Sequence, residues 1–253
     1  MSQFKAAAYH FLISIAVVGA IITLMLTLWY PQAYFKLMGG KTLIYLIAGV
    51  DVFMGPLLTM AMFKAGKKLL KFDLTCIALL QVAAMSYGVY VMFEARPIFT
   101  VFNQDAFYVA SVVDIVPSEL TKGKTEGLRT ASLTGPRLAA IGKPKDYKNN
   151  EDSLLIYAQG KMACRYPMVY EDYAKYHPDV VKAGKALSDL AGINSDNKTS
   201  LDAFLRKAHR PVTDFLFLPI YSAVSQMSVI VDAKTGEFIQ IIDAKSKAVS
   251  HEK

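Results

Sequence analysis

Three apolar runs, Phe11–Tyr30, Thr42–Phe63 and Leu74–Phe93, decide what this chain can fold into. A helix needs roughly 20 residues to cross the hydrocarbon of a bilayer, and each run is about that long. None offers a polar face to water, which argues against three buried helices of a soluble bundle. The first run is as long as a full span and no convincing Ala-x-Ala cleavage site follows it, so an uncleaved signal-anchor is expected. Trp29, Tyr30, Tyr34 and Phe35 around the end of this run suggest an aromatic belt at the outer interface.

The lysines give an orientation. Lys64, Lys67, Lys68 and Lys71 crowd the link between the second and third runs, against Lys36 and Lys41 between the first and second. The positive-inside rule places the four-lysine link in the cytoplasm, and Lys5 places the N-terminus there too. Residues 94–253 then lie outside, in the periplasm of a Gram-negative cell. The net charge of +7 fits this account better than nucleic-acid binding. Residues 1–93 hold 7 Lys/Arg and 2 Asp/Glu, whereas the remainder is nearly balanced at 21 and 19. No nucleic-acid partner is expected. The two cysteines, Cys76 and Cys164, fall on opposite sides in this topology and cannot pair; Cys164 reads as a small core residue.

The expected fold is a membrane α-helical part with three transmembrane helices (residues 1–95, spans about 11–30, 42–63 and 74–93) and a C-terminal α+β exported domain (residues 96–253). Arg96-Pro97 ends the third helix near Ala95, because proline disfavours helix in the residue before it. Ile98–Phe102 and Ala106–Val113 read as a hairpin turned at Asn103–Asp105. Pro117–Asn150 shows weak periodicity. Leu154–Ala158 reads as a strand, and Val169–Tyr176 and Asp179–Leu190 as helices. Ser200–Ala208 reads as a short helix capped by Thr199 or Ser200. Phe215–Val224, Met227–Val231 and Glu237–Ile242 read as strands, the last two joined through Asp232–Gly236.

Enzyme chemistry finds little support. His10, His177, His209 and His251 are scattered without metal-ligand spacing, and no nucleophile elbow, Walker loop or dinucleotide loop occurs. No metal, cofactor or catalytic residue is implied. The informative polar residue is Asp51, near the middle of a 22-residue run, Thr42–Phe63, that has no other charge. A carboxylate at the bilayer centre costs about 2.5–3.5 kcal/mol on insertion-derived scales, so it is rarely there by accident. Asp51, Gly55 and Thr59 are spaced i, i+4, i+8 and share a helix face; Gly55 admits a close neighbour and Pro56 frees the Val52 carbonyl, so a kink is expected. Gln81 and Thr23 lie at similar depth in the other spans. Asp51 is either protonated, hydrogen-bonded to such neutral groups, or matched by a group of another protein.

The three short spans, Asp51 with Gly55-Pro56-Leu57-Leu58-Thr59, and Arg96-Pro97, Phe102 and Asp105-Ala106-Phe107 beyond the third span resemble the type IV pilin accessory protein family (TfpX/TfpZ-like). The resemblance implies a non-enzymatic inner-membrane chaperone or assembly factor for a particular type IV major pilin, meeting its transmembrane helix and its head domain. By resemblance Asp51, Gly55, Pro56, Arg96, Pro97, Asp105 and Phe107 carry the family pattern, and Thr59 and Gln81 join them from the helix geometry as candidate partner-binding residues. The alternatives are a proton-coupled transport component using Asp51, for which three spans would have to form a homo-oligomer, and a membrane-anchored ligand sensor.

Overall fold

A computed structural model describes residues 2–64, 67–147 and 150–246; His251 lies outside them. Among the described residues two helices, Gln3–Trp29 and Leu70–Glu94, are long and apolar enough to cross a membrane. Only 17% and 11% of their most apolar stretches are buried, whereas the core helix of a water-soluble protein is mostly buried. The Ser2 side chain caps the first by accepting from the Lys5 N–H at 3.3 Å. The third ends with Ala95 as its C-cap, at the expected place before Pro97. The middle run is helical over Gly40–Ala48 and Gly55–Met62, joined by a π turn over Gly49–Met54. Its apolar part, Asp51–Met62, is shorter than the other two helices. Pro56 sits in the first turn of Gly55–Met62, where a missing N–H is tolerated. The irregularity expected at Pro56 thus falls one turn earlier, in the π turn that carries Asp51.

The C-terminal part is a mixed α/β sheet domain, with eight strands among the described residues: β1 Pro97–Asn103, β2 Ala106–Ser111, β3 Arg137–Ile141, β4 Tyr170–Asp172, β5 Lys185–Ala186, β6 Phe215–Tyr221, β7 Gln226–Asp232 and β8 Phe238–Ile242. The order is β4-β3-β1-β2-β6-β7-β8, with β5 on β6. The pairs β1–β3 and β2–β6 are parallel and the others antiparallel. The hairpin β1–β2 turns through Gln104 at φ +59°. Strand β1 follows the third helix almost directly, and β2 runs back beside it toward Arg96.

Several sequence readings change. Leu154–Ala158 belongs to a helix, Glu151–Ala158, because Asn150 Oδ1 accepts from the Ser153 N–H at 3.0 Å and Glu151 and Asp152 sit in its first turn. Val169–Tyr176 is not a helix but β4 followed by a 3-10 turn, because its backbone pairs with β3. Asp179–Leu190 divides into His177–Ala183, the short β5, and Leu187–Ala191, with Gly184 pressed against Leu216 at the break. The last long helix begins earlier, at Ser195, and its cap is Asn194, whose Oδ1 accepts from Asn197 N at 2.7 Å.

Residues between the first two helices enter the core of the sheet domain. Tyr30, Tyr34 and Leu37 pack with Met25, Met92, Phe102, Phe107, Leu218 and Ile220. Tyr30 donates to the Met92 carbonyl at 2.7 Å, and Tyr34 Oη lies 2.7 Å from Thr100 Oγ1. Tyr30 and Tyr34 therefore form a plug, correcting their expected place in an aromatic belt. A ring with one polar tip suits either setting; here the tip finds a partner inside the domain.

Burial pushes the Tyr34 phenol up to about 12, with the Thr100 hydrogen bond acting in the opposite sense. A raised folded value means stability fully present below pH 10 and lost as pH climbs from about 10 to 12. On the order of 2–3 kcal/mol is at stake in that window. Tyr34→Phe is expected to cost about 1 kcal/mol at neutral pH, by stranding the Thr100 hydroxyl, and to flatten the alkaline loss. Trp29 emission during urea titrations at pH 8 and 11 reads both; an unchanged alkaline slope would count against it.

Candidate functional site

The first and second helices meet along a seam of small and polar residues. Ala6, Ser14 and Val18 are buried on one side, and Asp51, Gly55, Thr59 and Phe63 on the other, at every fourth position. The shared face of Asp51, Gly55 and Thr59 is thus present. His10 Nδ1 lies 2.6 Å from Thr59 Oγ1, joining the two helices across this seam. Such seams suit helices in lipid, where association depends on close backbone approach and a few hydrogen bonds.

Gln81 covers the seam from the third helix. A Cβ on Gly55 would fall 2.0 Å from Gln81 Nε2 and 2.8 Å from its Cδ, so the glycine makes room for the amide. That amide donates to the Asp51 backbone carbonyl at 3.3 Å rather than to the carboxylate. Thr23, the other internal candidate, donates to Gly19 O at 2.8 Å within its own helix. The Asp51 side chain is 4% exposed, and among the described residues its Oδ2 has no hydrogen-bond partner. His10, in contact with Thr59, is a second ionisable group on this seam that sequence reasoning did not place here. The spacing of Ala6, His10, Ser14 and Val18 by four was the available signal.

The remaining candidates lie in the sheet domain. Arg96 is 4% exposed. Its Nε donates to Ser132 O at 3.0 Å, its guanidinium to Phe93 O at 2.6 Å, and it stacks 3.6 Å from the Phe93 ring centroid. Pro97 opens β1 and is buried. Phe107 is fully buried against Phe102, Tyr173 and Phe238. These three hold the junction and core together and present no surface to a partner. Asp105 sits half-buried in the hairpin turn at the far end of β1. Pro56 is half-buried beside Gly55. The structure therefore gathers Asp51, Gly55, Thr59 and Gln81 in one layer and leaves Arg96, Pro97, Asp105 and Phe107 apart from it.

Between the first and third helices, near their domain-proximal ends, an open groove of about 360 Å³ is lined by Ile21, Trp29, Met85, Val89, Tyr90 and Phe93. Trp29 meets Phe93 edge-on at 5.1 Å along its wall. Among the described residues no cluster of His, Cys, Asp and Glu is placed to hold a metal. Cys164 is buried, and burial pushes its thiol well up, as befits a small core side chain.

Residues 1–39 match the profile of a family described as fimbrial assembly protein FimB. The chain is 32% identical over 232 residues to a fimbrial assembly protein of serogroup I from Dichelobacter nodosus, covering 90% of each chain. It is 31% identical over 232 residues to the serogroup E1 protein of the same organism, again covering 90% of each. The protein of serogroups C1 and C2 is 38% identical over 118 residues, 46% of this chain and 90% of that one. No solved structure matches the chain.

Proposed function

The chain belongs to the fimbrial assembly protein family, as the resemblance in its sequence implied, and on that premise we propose that it is a non-enzymatic inner-membrane accessory to type IV pilus assembly that holds one major pilin. The proposal takes three spans. Gly40–Met62, helical throughout if the π turn is counted, is 23 residues and about 34 Å long at roughly 1.5 Å per residue, enough to cross with the other two. By the positive-inside rule, the lysines beside the link of the second and third helices support a cytoplasmic N-terminus and a periplasmic sheet domain.

The observation that carries the reading is the groove between the first and third helices, beside helix ends that share a core with the sheet domain. A pilin awaiting assembly presents an apolar membrane helix and an external head. The groove offers Met85, Val89 and Tyr90 to the helix, and the rigid junction keeps the domain at the height of the head. A photo-crosslinker at Met85 or Tyr90 is expected to capture the pilin, while one at Leu12, exposed on the first helix outside the groove, is not. A clean deletion is expected to lower pilin level or surface pili. Normal pilin and normal pili would sink the proposal.

The seam of Asp51, Thr59 and His10 favours a second reading, proton-coupled action, because it carries a second ionisable group, His10, bonded to Thr59 at the cytoplasmic edge of the spans. Asp51→Asn keeps the shape and removes the charge. On the pilin-holding reading it leaves the crosslink at Met85 intact and lowers piliation no more than the protein's own level falls. Loss of piliation at an unchanged protein level, with sensitivity to the membrane pH gradient, would favour the proton-coupled reading.

A further inference from the structure

The sheet domain turns three loop tips toward the outer ends of the helices, and each tip carries a large exposed apolar side chain. Val113 is 68% exposed, Leu133 61% and Val224 66%. Each is tethered close to a helix end. Val112 N donates to the Arg96 carbonyl at 3.2 Å, just past the third helix. The Ser132 carbonyl accepts from Arg96 Nε, and three residues on a Cβ at Gly135 would lie 2.8 Å from Pro31, just past the first helix. Ser222 Oγ donates to the Leu37 carbonyl at 2.7 Å, and Val224 would stand 3.2 Å from a Cβ at Gly39, just before the second. Val116, 60% exposed, flanks the first of these tips.

We infer that these tips form an apolar underside that dips into the outer leaflet of the bilayer, so that the domain is seated on lipid as well as joined to the helices. The inference rests on the membrane-spanning reading above. Large exposed apolar side chains gathered on one face call for a partner. Here the position names it: the tips stand level with the ends of helices whose own exposed surface is apolar, with Tyr87 and Tyr90 of the third helix just below. Surface-bound apolar groups sink about 5–10 Å into the boundary of headgroup and acyl chain, within reach of single side chains on short loops. Three separate tethers around the helix bundle would also stop the domain from rocking.

The test uses the full chain in lipid nanodiscs. Native Trp29, the single tryptophan, reports whether the helices are in the membrane. In a Trp29→Phe background, Val113→Trp, Leu133→Trp and Val224→Trp each place a reporter at a tip, and Val212→Trp places a control beside the start of β6, at the other end of that strand from Val224. Quenching by lipids brominated near the headgroup is expected for all three tips, with emission shifted to the blue, and not for Val212→Trp. Quenching of Trp29 without quenching at the tips would overturn the inference and leave the tips to a protein partner. Equal quenching at Val212→Trp would also overturn it, as non-specific adsorption. Absence of quenching at Trp29 would remove the spanning reading and this inference together.

Discussion

Arg96→Met is expected to lower the unfolding temperature by about 10 °C, on a cost of roughly 3 kcal/mol and the usual 2–4 °C per kcal/mol for a chain of this size. The guanidinium is a buried charge with, among the described residues, no carboxylate bonded to it; its donors go to the carbonyls of Ser132 and Phe93, and its plane lies on the Phe93 ring. Methionine fills the volume and supplies no donor. The Phe93 carbonyl retains the backbone N–H of residue 96 at 3.3 Å, whereas Ser132 loses its donor. The cost therefore concentrates at the loop holding Leu133. Arg96→Lys is expected to recover less than half of the loss, since one ammonium cannot reach two carbonyls and stack as a planar fork does. Trp29, 5.1 Å from Phe93, reads the melt locally. A shift of only a degree or two for Arg96→Met would show that the junction is held by the tyrosine plug alone.

That junction marks where sequence reasoning stopped. Asp51, Gly55 and Thr59 were legible as one face because a helix period of 3.6 needs no tertiary knowledge. The hairpin from Pro97 to Ser111 was legible from its β-branched and aromatic arms. The Tyr34–Thr100 contact joins residues 66 apart, and the His10–Thr59 contact joins residues 49 apart. No local pattern encodes either. Strand β3 escaped notice because Ala139 and Ala140 are poor strand formers; it forms by pairing with β1 on one side and β4 on the other. Leu154–Ala158 misled in the opposite direction, since an apolar run of five fits strand and helix alike until its cap is considered. The division into a membrane part and an exported part was drawn at Ala95, yet Tyr30, Tyr34 and Leu37 lie in the same core as β2 and β6.

Gly55→Leu is expected to be the most damaging change within the helices, at roughly 3 kcal/mol, the upper range for overpacking. The space a side chain would need at Gly55 is already taken by the Gln81 amide. Gln81 is buried, so yielding breaks its bond to the Asp51 carbonyl and turns a polar group toward apolar surroundings. Gly55→Ala makes the smaller demand, about 1 kcal/mol, because Nε2 ends a flexible side chain and can withdraw. A double-mutant cycle separates steric conflict from a general loss of helix packing. In a Gln81→Ala background, Gly55→Ala is expected to be neutral or stabilising, giving a coupling of about 1 kcal/mol between the two positions. Strict additivity would sink the claim that the glycine exists to admit the glutamine. The same cycle, scored by pilin capture, tells more than stability does. If Gly55→Ala weakens capture while the protein level holds, and Gln81→Ala restores it, the amide's position shapes the groove as well as the seam. If capture follows the protein level throughout, the layer around Asp51 is scaffold, and the surface that meets the pilin lies in the groove beside Trp29 and Tyr90.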